Sequence, residues 1–286
     1  MKVGIGVPAT IPWTTPDLIL RWMERADESP FSSLGILDRL VYPNYEPMVT
    51  LAAAAALTRR VRLITTVLLA PLRNTAILAK QAASVDALSG GRLTLGLGVG
   101  AREDDFVAAE VPFHQRGKRF ERQLDTMERI WSGQPLDGAG KIGPSSARQG
   151  GPEVLIGGYS PPAVRRVGRW GDGYISGGAP PEQARRSYAL AREAWSGAGR
   201  QGEPRIVGCL YFALGPDARE RGGRYIRDYY AVAGPLAEGI AGSMPASPEE
   251  IKRTIDGFAD AGADEVICWP TIAEPDQLDL LADLVR

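Results

Sequence analysis

A glycine-rich turn in the second half of the chain has the residue types best suited to ligand binding. It reads Gly157-Gly158-Tyr159-Ser160-Pro161-Pro162 and lies between an apolar run and a predicted helix. Glycines leave the backbone accessible, Ser160 offers a hydroxyl, and the free N–H groups of a helix start attract anions. The turn is therefore a candidate phosphate cradle. A second turn, Ser176-Gly177-Gly178, could contact the same phosphate if the two turns lay side by side.

Two earlier apolar runs carry polar residues that could face a ligand. Asp38 and Arg39 follow the run 33–37, where they either cap a strand at the surface or form a polar wall beside a ligand. Thr65 and Thr66 lie in the next run, and β-branched threonines are also ordinary strand residues.

Alternating glycines mark a further run, which contains Gly96, Gly98 and Gly100. Glycine weakens a strand interior, so this pattern indicates that another group approaches the backbone closely. That group is either a neighbouring element or a flat ligand, and small residues would also fit the interior of a tight barrel.

The remaining reactive residue types do not form a recognisable catalytic set. His114 is the only histidine, which excludes a histidine-based metal cage and a Ser-His-Asp triad, and we expect it to start a helix rather than act as a general base. Cys209 and Cys268 lie in apolar runs and are predicted to be buried thiols. The acidic run Glu103-Asp104-Asp105 is predicted to be solvated and to complement a helix dipole. No metal site is predicted, and a bound cofactor would have to carry the reaction.

Eight apolar runs, each followed by a predicted helix, would position these residues. The predicted strands are 3–7, 33–37, 61–69, 92–99, 154–156, 173–176, 205–214 and 265–269. Their largely apolar character is typical of a parallel sheet covered by helices. A doubly wound open sheet would show a similar pattern, but the count of eight favours a closed (β/α)8 TIM barrel. In such a barrel, function lies at the C-terminal ends of the strands.

Helix signals and one irregular segment complete the predicted organisation. Thr15 and Pro16 are suited to the start of a helix, and Ser89-Gly90-Gly91 to the end of another. The segment 114–131 is an amphipathic helix, whereas 133–151 is an irregular insertion. We therefore expect one barrel domain over residues 1–286.

The composition of the chain argues against two classes of partner, nucleic acids and membranes. Its 286 residues suit one α/β barrel, and 33 basic against 34 acidic residues leave no concentrated basic face for nucleic acid. There is no signal-peptide pattern at the N-terminus and no uninterrupted apolar stretch of membrane-spanning length. We expect a soluble, cytoplasmic protein without a nucleic-acid or membrane partner.

Several segments, in order along nearly the whole chain, resemble the luciferase-like monooxygenase family. The most specific is the run from Lys80 to Gly100. The matching segments are 66–74, 78–93, 96–100, 157–160, 171–174 and 261–266.

The resemblance implies a bacterial luciferase-like (β/α)8 barrel that binds coenzyme F420 or FMN at its strand ends, often as a homodimer. The cofactor-binding residues that it implies are Gly158, Tyr159, Ser160, Pro161, Ser176, Gly177 and Gly178 for the phosphate arm, and Thr65, Thr66, Val67 and Gly98 for the ring. It also implies a non-proline cis peptide at Thr66-Val67 and places Asp38 near the reactive face.

Two positions depart from the family members that oxidise sugar phosphates with F420. Those members resemble this chain but have a histidine at the position of Arg39 and a glutamate near Ala101. Both groups are missing, so sugar-phosphate dehydrogenation would lack its proton donors. Arg39 instead supplies a permanent positive charge that could hold an anionic substrate or a reduced flavin.

The resulting hypothesis is a flavin-dependent oxidoreductase that passes hydride to or from F420 or FMN, with Asp38 and Arg39 as its catalytic candidates. The Asp38-Arg39 pair resembles that of deazaflavin-dependent members, and this resemblance favours F420 slightly. A small organic molecule is the expected substrate. The alternative is a non-catalytic partner subunit of a luciferase-like heterodimer that binds no cofactor. The two glycine turns argue against that alternative, because such a subunit would not need them.

Three loops are expected to line the substrate pocket, and the sequence does not reveal the substrate. They are 41–46, 133–151 and 231–244. Tyrosines in or next to the first and last of these loops suggest an aromatic entrance: Tyr42, Tyr45, Tyr229 and Tyr230.

Overall fold

Eight apolar segments form parallel strands because a barrel strand is covered on both faces, by the interior and by the outer helices. The computed structural model describes residues 1–286, and its strands close into a ring in chain order. The strands are β1 (Lys2–Gly6), β2 (Ser33–Ile36), β3 (Arg62–Leu69), β4 (Leu93–Gly98), β5 (Glu153–Gly157), β6 (Gly173–Ile175), β7 (Arg205–Phe212) and β8 (Glu265–Pro270). Pairing of Ile5 with Cys268 joins β1 to β8 and closes the barrel. The predicted (β/α)8 TIM barrel is confirmed.

Helices follow the strands and cover the outside of the barrel. They are α1 (Pro16–Glu28), α2 (Pro47–Leu57), α3 (Thr75–Ser89), α4 (Glu103–Ala108), α5 (Arg116–Trp131), α6 (Pro161–Arg165), α7 (Val167–Trp170), α8 (Pro181–Gly197), α9 (Ala218–Tyr229), α10 (Pro235–Ser243), α11 (Pro248–Ala261) and α12 (Pro275–Val285). The predicted helix signals are confirmed: the Thr15 side chain accepts from the Leu18 N–H before α1, and Gly90 ends α3 in a left-handed conformation.

The element boundaries differ from the prediction where short turns interrupt a helix. The predicted helix 162–170 is divided into α6 and α7. The segment 216–242 forms α9 and α10, separated by the turn Ala231–Ala233 and by Gly234 at a φ of 56°. His114 lies exposed in the turn Phe113–Gln115 that precedes α5, so its expected place at a helix start is confirmed.

The insertion 133–151 contains no helix or strand, as predicted, but it does not line the mouth of the barrel. It leads into the N-terminal end of β5, whereas function lies at the C-terminal ends. Its contacts are with α3 and with the start of β6: the Lys80 ammonium donates to the Gly143 carbonyl, and the Asp86 carboxylate accepts from the Ala147 N–H. The expectation that this loop lines the substrate pocket is therefore wrong.

A network of polar side chains joins the N-terminal ends of five strands. Ser33, Arg62, Glu153, Arg205 and Glu265 are the first residues of β2, β3, β5, β7 and β8, and we call them the N-terminal network. Glu265 accepts from Ser33 at 2.6 Å and pairs with Arg205 at 2.5 Å. Arg205 also pairs with Glu153, which contacts Arg62 at 3.2 Å. The network ties together five of the eight strands at the end of the barrel opposite the candidate site.

Both cysteines are free and buried, as predicted. Burial raises the pKa of the Cys209 thiol to about 12, so this group stays protonated at neutral pH. No helix combines the length and the apolar character that a bilayer span requires.

Candidate active site

The turns after β5 and β6 lie side by side because these strands pair directly, with Gly157 opposite Ile175. Gly158 has a φ of 134°, a conformation that other residues rarely adopt. The Tyr174 hydroxyl donates to the Gly158 carbonyl at 2.8 Å, which joins β6 to the turn after β5. Burial raises the pKa of Tyr174 to about 12, so its hydroxyl remains a donor.

Five backbone N–H groups in these two turns have no acceptor within the protein: those of Gly158, Tyr159, Ser160, Gly177 and Gly178. The Ser160 side chain is exposed and makes no capping bond to α6. Adjacent N–H groups that lack protein partners are the donor set that a phosphate prefers. The two turns that the sequence predicted to contact one phosphate are thus brought together.

The glycines of the two turns are required by close packing. A Cβ atom at Gly177 would lie 2.5 Å from the Tyr159 hydroxyl, and one at Gly178 would lie 2.9 Å from the Tyr211 ring. A Cβ atom at Gly158 would lie 2.7 Å from the Ala163 side chain. Only the contact between Gly177 and Tyr159 joins the two turns, whereas Gly158 and Gly178 make room for Ala163 and for the Tyr211 ring.

Ser176 and Pro161 differ from the other predicted phosphate ligands. The Ser176 hydroxyl is buried and shares a hydrogen bond with the Tyr188 hydroxyl at 3.0 Å, and its N–H donates to the Val207 carbonyl at 2.9 Å. Pro161 has no N–H and occupies the first position of α6. These two residues shape the turns, and the donors come from their neighbours.

β3 is irregular where the cofactor ring was expected. The predicted cis peptide at Thr66-Val67 is present, and the register with β4 shifts between Thr65 and Leu68. The Thr65 hydroxyl donates to the Gly96 carbonyl at 2.7 Å, and the Thr66 hydroxyl donates to the Ile36 carbonyl at 3.3 Å. Both hydroxyls are used within the barrel, which leaves the backbone and the half-buried Val67 side chain to contact a ligand.

The glycines of β4 and β5 accommodate this irregular part of β3. A Cβ atom at Gly96 would lie 2.1 Å from the Thr65 carbonyl oxygen. Cβ atoms at Gly98 and Gly157 would each lie 2.7 Å from a methyl group of Val67. The group that approaches these glycines is therefore a neighbouring strand. A contact between Gly98 and a cofactor ring remains a prediction.

Asp38 is buried and engaged by its neighbours. Its two oxygens accept from the Arg73 guanidinium at 2.6 and 3.1 Å, and one also accepts from the Leu69 N–H at 2.8 Å. Burial raises the pKa of the Asp38 carboxyl, and the guanidinium and the N–H oppose that rise. Asp38 thus holds the end of β3 against the end of β2, and sequence reasoning did not identify Arg73 as its partner.

Arg39 is buried without a carboxylate partner. Its side chain donates to the Tyr229 carbonyl at 2.8 Å and to the Val41 carbonyl at 3.0 Å, and its Nε has no partner. The guanidinium lies 4.3 Å from the centre of the Tyr42 ring and 5.0 Å from that of Tyr229. Uncharged groups hold this cation, so no acid in contact neutralises its charge.

Asp105 was predicted to be solvated with its acidic neighbours, and that prediction is wrong. The side chain is buried, and one oxygen accepts from the N–H groups of Leu40 and Val41 at 3.1 and 2.7 Å. Because α4 packs against the segment after β2, Asp105 positions the backbone next to Arg39. The short helix α4 offers no periodicity from which this inward orientation could have been predicted.

Tyrosines gather around Arg39 on the C-terminal face. Rings of Tyr42 and Tyr229 meet edge to face at 5.2 Å, and those of Tyr229 and Tyr230 at 5.0 Å. The Tyr211 and Tyr230 hydroxyls lie 2.9 Å apart. The predicted aromatic entrance therefore includes three of its four tyrosines, whereas Tyr45 bonds to the Thr14 carbonyl instead.

Comparisons with known proteins agree with this architecture. The chain is 31% identical over 194 residues to the uncharacterized protein Rv0940c of Mycobacterium tuberculosis, a match that covers 65% of this chain and 67% of that protein. It is 29% identical over 173 residues to an F420-dependent glucose-6-phosphate dehydrogenase of Nocardia farcinica, covering 57% of this chain and 47% of the relative. The chain thus spans about half the length of this dehydrogenase.

Solved structures share the whole fold at low sequence identity. An F420-dependent secondary alcohol dehydrogenase in complex with an F420-acetone adduct superposes with a TM-score of 0.81 at 19% identity, covering 100% of both chains. The monooxygenase RslO1 from Streptomyces bottropensis superposes with a TM-score of 0.78 at 24% identity, covering 100% of this chain and 98% of that one. The sequence pattern of the luciferase-like monooxygenase family matches residues 1–279, and the chain belongs to that family.

Proposed function

We propose that the protein is an oxidoreductase that passes hydride between F420 or FMN and a small organic molecule. One observation carries the proposal: five N–H groups without protein partners lie in the two turns after the paired strands β5 and β6. These groups match the needs of a cofactor phosphate. Among the relatives and structural neighbours, several have names that include F420 or FMN.

The protein's own residues would bind and orient such a cofactor. Tyr159, Ser160, Gly177 and Gly178 would donate to its phosphate, and the irregular part of β3 would lie beside its ring. F420 or FMN, when bound, supplies the hydride acceptor or donor. Arg39 would then provide a fixed positive charge near the ring or near an anionic substrate.

Sugar phosphates are not the substrate class that we propose. Arg39 is a permanent cation bonded to two main-chain carbonyls, and Ala101 is an exposed residue without a polar side chain. Neither position offers a group that could accept and return a proton at neutral pH. Other small organic molecules remain as the expected substrates.

The test is a titration of the purified protein with FMN and with F420 separately, followed by absorbance and fluorescence. We expect saturable binding of one cofactor and a loss of at least about tenfold in affinity for Gly158→Ala, since the new methyl group would strain the turn. Gly199→Ala is the matched control, because Gly199 also has a positive φ, of 70°, but has open space around it.

Ser160→Ala provides a second variant in which stability is not at risk, because Ser160 is exposed and its hydroxyl makes no bond. We expect this substitution to lower the affinity for the same cofactor and to leave the unfolding temperature unchanged. If neither cofactor binds to the unmodified protein, the proposal fails and the non-catalytic subunit hypothesis is retained.

We also propose that two copies pair through the outer faces of α2 and α3. α2 has no charged residue, and Val49, Leu57, Ile77 and Leu88 expose apolar side chains on these two neighbouring helices. A helix that is apolar on all sides is normally covered on all sides. Lys80 is the exposed charge on α3, and its ammonium donates to the Gly143 carbonyl. The apolar residues around it suit a second copy of the same surface, because a two-fold axis brings the same patch of both subunits together.

A further inference from the structure

A cavity of about 670 Å³ opens on the C-terminal face, on the far side of the barrel from the two glycine turns. Its walls come from the loops after β1, β2 and β8 and from α9, and they include Trp13, Tyr42, Arg221, Arg224, Tyr225 and Ile272. We propose that this cavity binds an aromatic carboxylate and that this ligand is the substrate of the proposed reaction. The substrate role rests on the proposed function, whereas the binding itself can be tested alone.

The position of the cavity follows from the strand order. In a closed ring of eight strands, β1 lies opposite β5, and β2 and β8 are the neighbours of β1. The phosphate donors follow β5 and β6, so a cofactor that extends from them across the barrel mouth would present its ring towards the cavity. A ligand that enters on the β1 side would meet that ring without competing for the phosphate donors.

Trp13 supplies a surface for an aromatic body. Its side chain is 97% exposed, and its φ of 68° is an outlier for a bulky residue. The turn Ile11–Thr14, which the Thr14 N–H closes by donating to the Ile11 carbonyl, accounts for this conformation and leaves the indole exposed at the rim of the cavity. Tyr42 and Tyr225 line the same cavity, so a flat apolar ligand would contact aromatic rings on more than one side.

Two arginines supply the charge that a carboxylate requires. Arg221 and Arg224 both belong to α9; Arg221 pairs with Glu274, and Arg224 pairs with Glu220 at 3.2 Å. Both pairs are solvent-exposed, and exposed pairs of this kind contribute little free energy. A guanidinium has five N–H donors, so a bound carboxylate can be held in addition to the existing partner.

The carboxylate that lines the cavity is already satisfied. Asp228 accepts from the Tyr42 hydroxyl at 2.5 Å, and the Tyr42 ring in turn contacts the Arg39 guanidinium. Tyr42 therefore lines the cavity and also contacts the Arg39 guanidinium. Asp228 keeps its negative charge in this bond, but the lining has two arginines against this one carboxylate and therefore one net positive charge, which favours an anion over a cationic ligand of the same shape.

The test compares two dyes of similar shape and different charge, 8-anilinonaphthalene-1-sulfonate and neutral N-phenyl-1-naphthylamine, by fluorescence titration of the unmodified protein and of variants. We expect the double variant Arg221→Met, Arg224→Met to lose at least about tenfold in affinity for the anionic dye and to keep its affinity for the neutral one. Arg227→Met is the matched control, since Arg227 lies on the same helix but pairs with Glu238 outside the cavity.

Displacement identifies the preferred anion: 1-naphthoate should displace the anionic dye, and 1-naphthamide should not. Single Arg224→Met, at a highly exposed position, provides the same comparison if the double variant folds poorly. The inference is overturned if the arginine variants lose affinity for both dyes equally, or if Arg227→Met lowers the affinity for the anionic dye as much as they do. It is also overturned if the unmodified protein shows no saturable binding of the anionic dye.

Parallel titrations with FMN and F420 separate this inference from the proposed function. Cofactor binding without arginine-dependent dye binding would overturn the cavity assignment alone. Arginine-dependent dye binding without binding of either cofactor would overturn the oxidoreductase proposal and leave a cavity for aromatic anions.

Discussion

Two arginines near the end of β2 carry the same charge in different electrostatic surroundings. Arg73 forms a two-bond contact with the Asp38 carboxylate, so its charge is locally balanced. Arg39 is held by main-chain carbonyls and tyrosine rings, and it is only 9% exposed. A cation that is shielded from water and lacks an acid in contact exerts a stronger field on its surroundings than a cation whose charge is balanced by a carboxylate in contact. Arg39 therefore contributes more positive potential at the barrel mouth than Arg73 does.

Arg39→Met is expected to lower kcat/KM by at least about tenfold, because a lost charged contact costs about 1.5–3 kcal/mol. Steady-state kinetics with the cofactor identified by titration provide the measurement. Arg39→Lys keeps the charge but not the two-armed contact and should retain part of the activity. Kinetics of the Met variant equal to those of the unmodified protein would show that the charge plays no part in turnover.

At the scale of single residues, the sequence located the strand ends but not the partners of each side chain. Asp38 and Arg39 were correctly placed after β2, yet the pairing of Asp38 with Arg73 depends on how β2 and β3 meet in space. The burial of Asp105 and the orientation of Ser176 towards Tyr188 have the same origin. Residue type indicates which bonds a side chain can make, and the packing of distant segments decides which ones form.

Among the secondary-structure elements, α2 differs from the other outer helices because it has no charged residue, and α3 beside it exposes Ile77 and Leu88. The helix α5, for example, reads RGKRFERQLDTMERIW and exposes mainly charged residues, whereas α2 reads PMVTLAAAAAL. Water solvates the first kind of face well. The apolar face of α2 is instead stabilised when another apolar surface covers it.

Ile77→Lys should therefore shift the protein from dimer to monomer, because it places a charge in the centre of the proposed apolar contact. Ile77 is 59% exposed on α3, so the substitution is not expected to affect the folded monomer. Leu280→Lys, at a position 43% exposed on α12, is the matched control. This variant should keep the molecular mass of the dimer in solution. Sedimentation equilibrium measures both variants, and a monomeric unmodified protein would contradict the proposed pairing.

The elements were largely predictable because their signals are local. Eight apolar runs, the Thr15 cap and the Gly90 helix end were all read from neighbouring residues. The irregular part of β3 was different: the glycines of β4 showed that something approached closely, but not that the approaching group was Val67 of the adjacent strand. The prediction of a cis peptide there came from family resemblance rather than from spacing.

The whole molecule has the N-terminal network at one end of the barrel and the candidate site at the other. Alternating charges of the N-terminal network connect strands that are distant in sequence, and its Glu265 side chain is 1% exposed. Removing one partner of a buried ion pair leaves the other charge without compensation. Much of the cohesion between strands at this end therefore depends on a few charged side chains.

Glu265→Gln should lower the free energy of unfolding by about 1.5–3 kcal/mol, because Arg205 loses one charged acceptor and keeps its pair with Glu153. Asp283→Asn is the control, since its pair with Arg286 is exposed and should contribute less than about 0.5 kcal/mol. Urea denaturation measures both variants. Equal effects of the two substitutions on the free energy of unfolding would mean that the network does not stabilise the barrel. We expect both variants to bind the cofactor with the same affinity.

The N-terminal network also bears on how such a protein can change over generations. Its five side chains begin their strands, whereas the loops around the cavity follow the C-terminal ends of β1, β2 and β8. Mutations that alter those loops would leave the network intact, so new ligand preferences can accumulate without loss of the barrel. We expect libraries that randomise residues 11–13 and 41–45 to retain a high proportion of folded members, and the same frequency of substitution in the network to yield few.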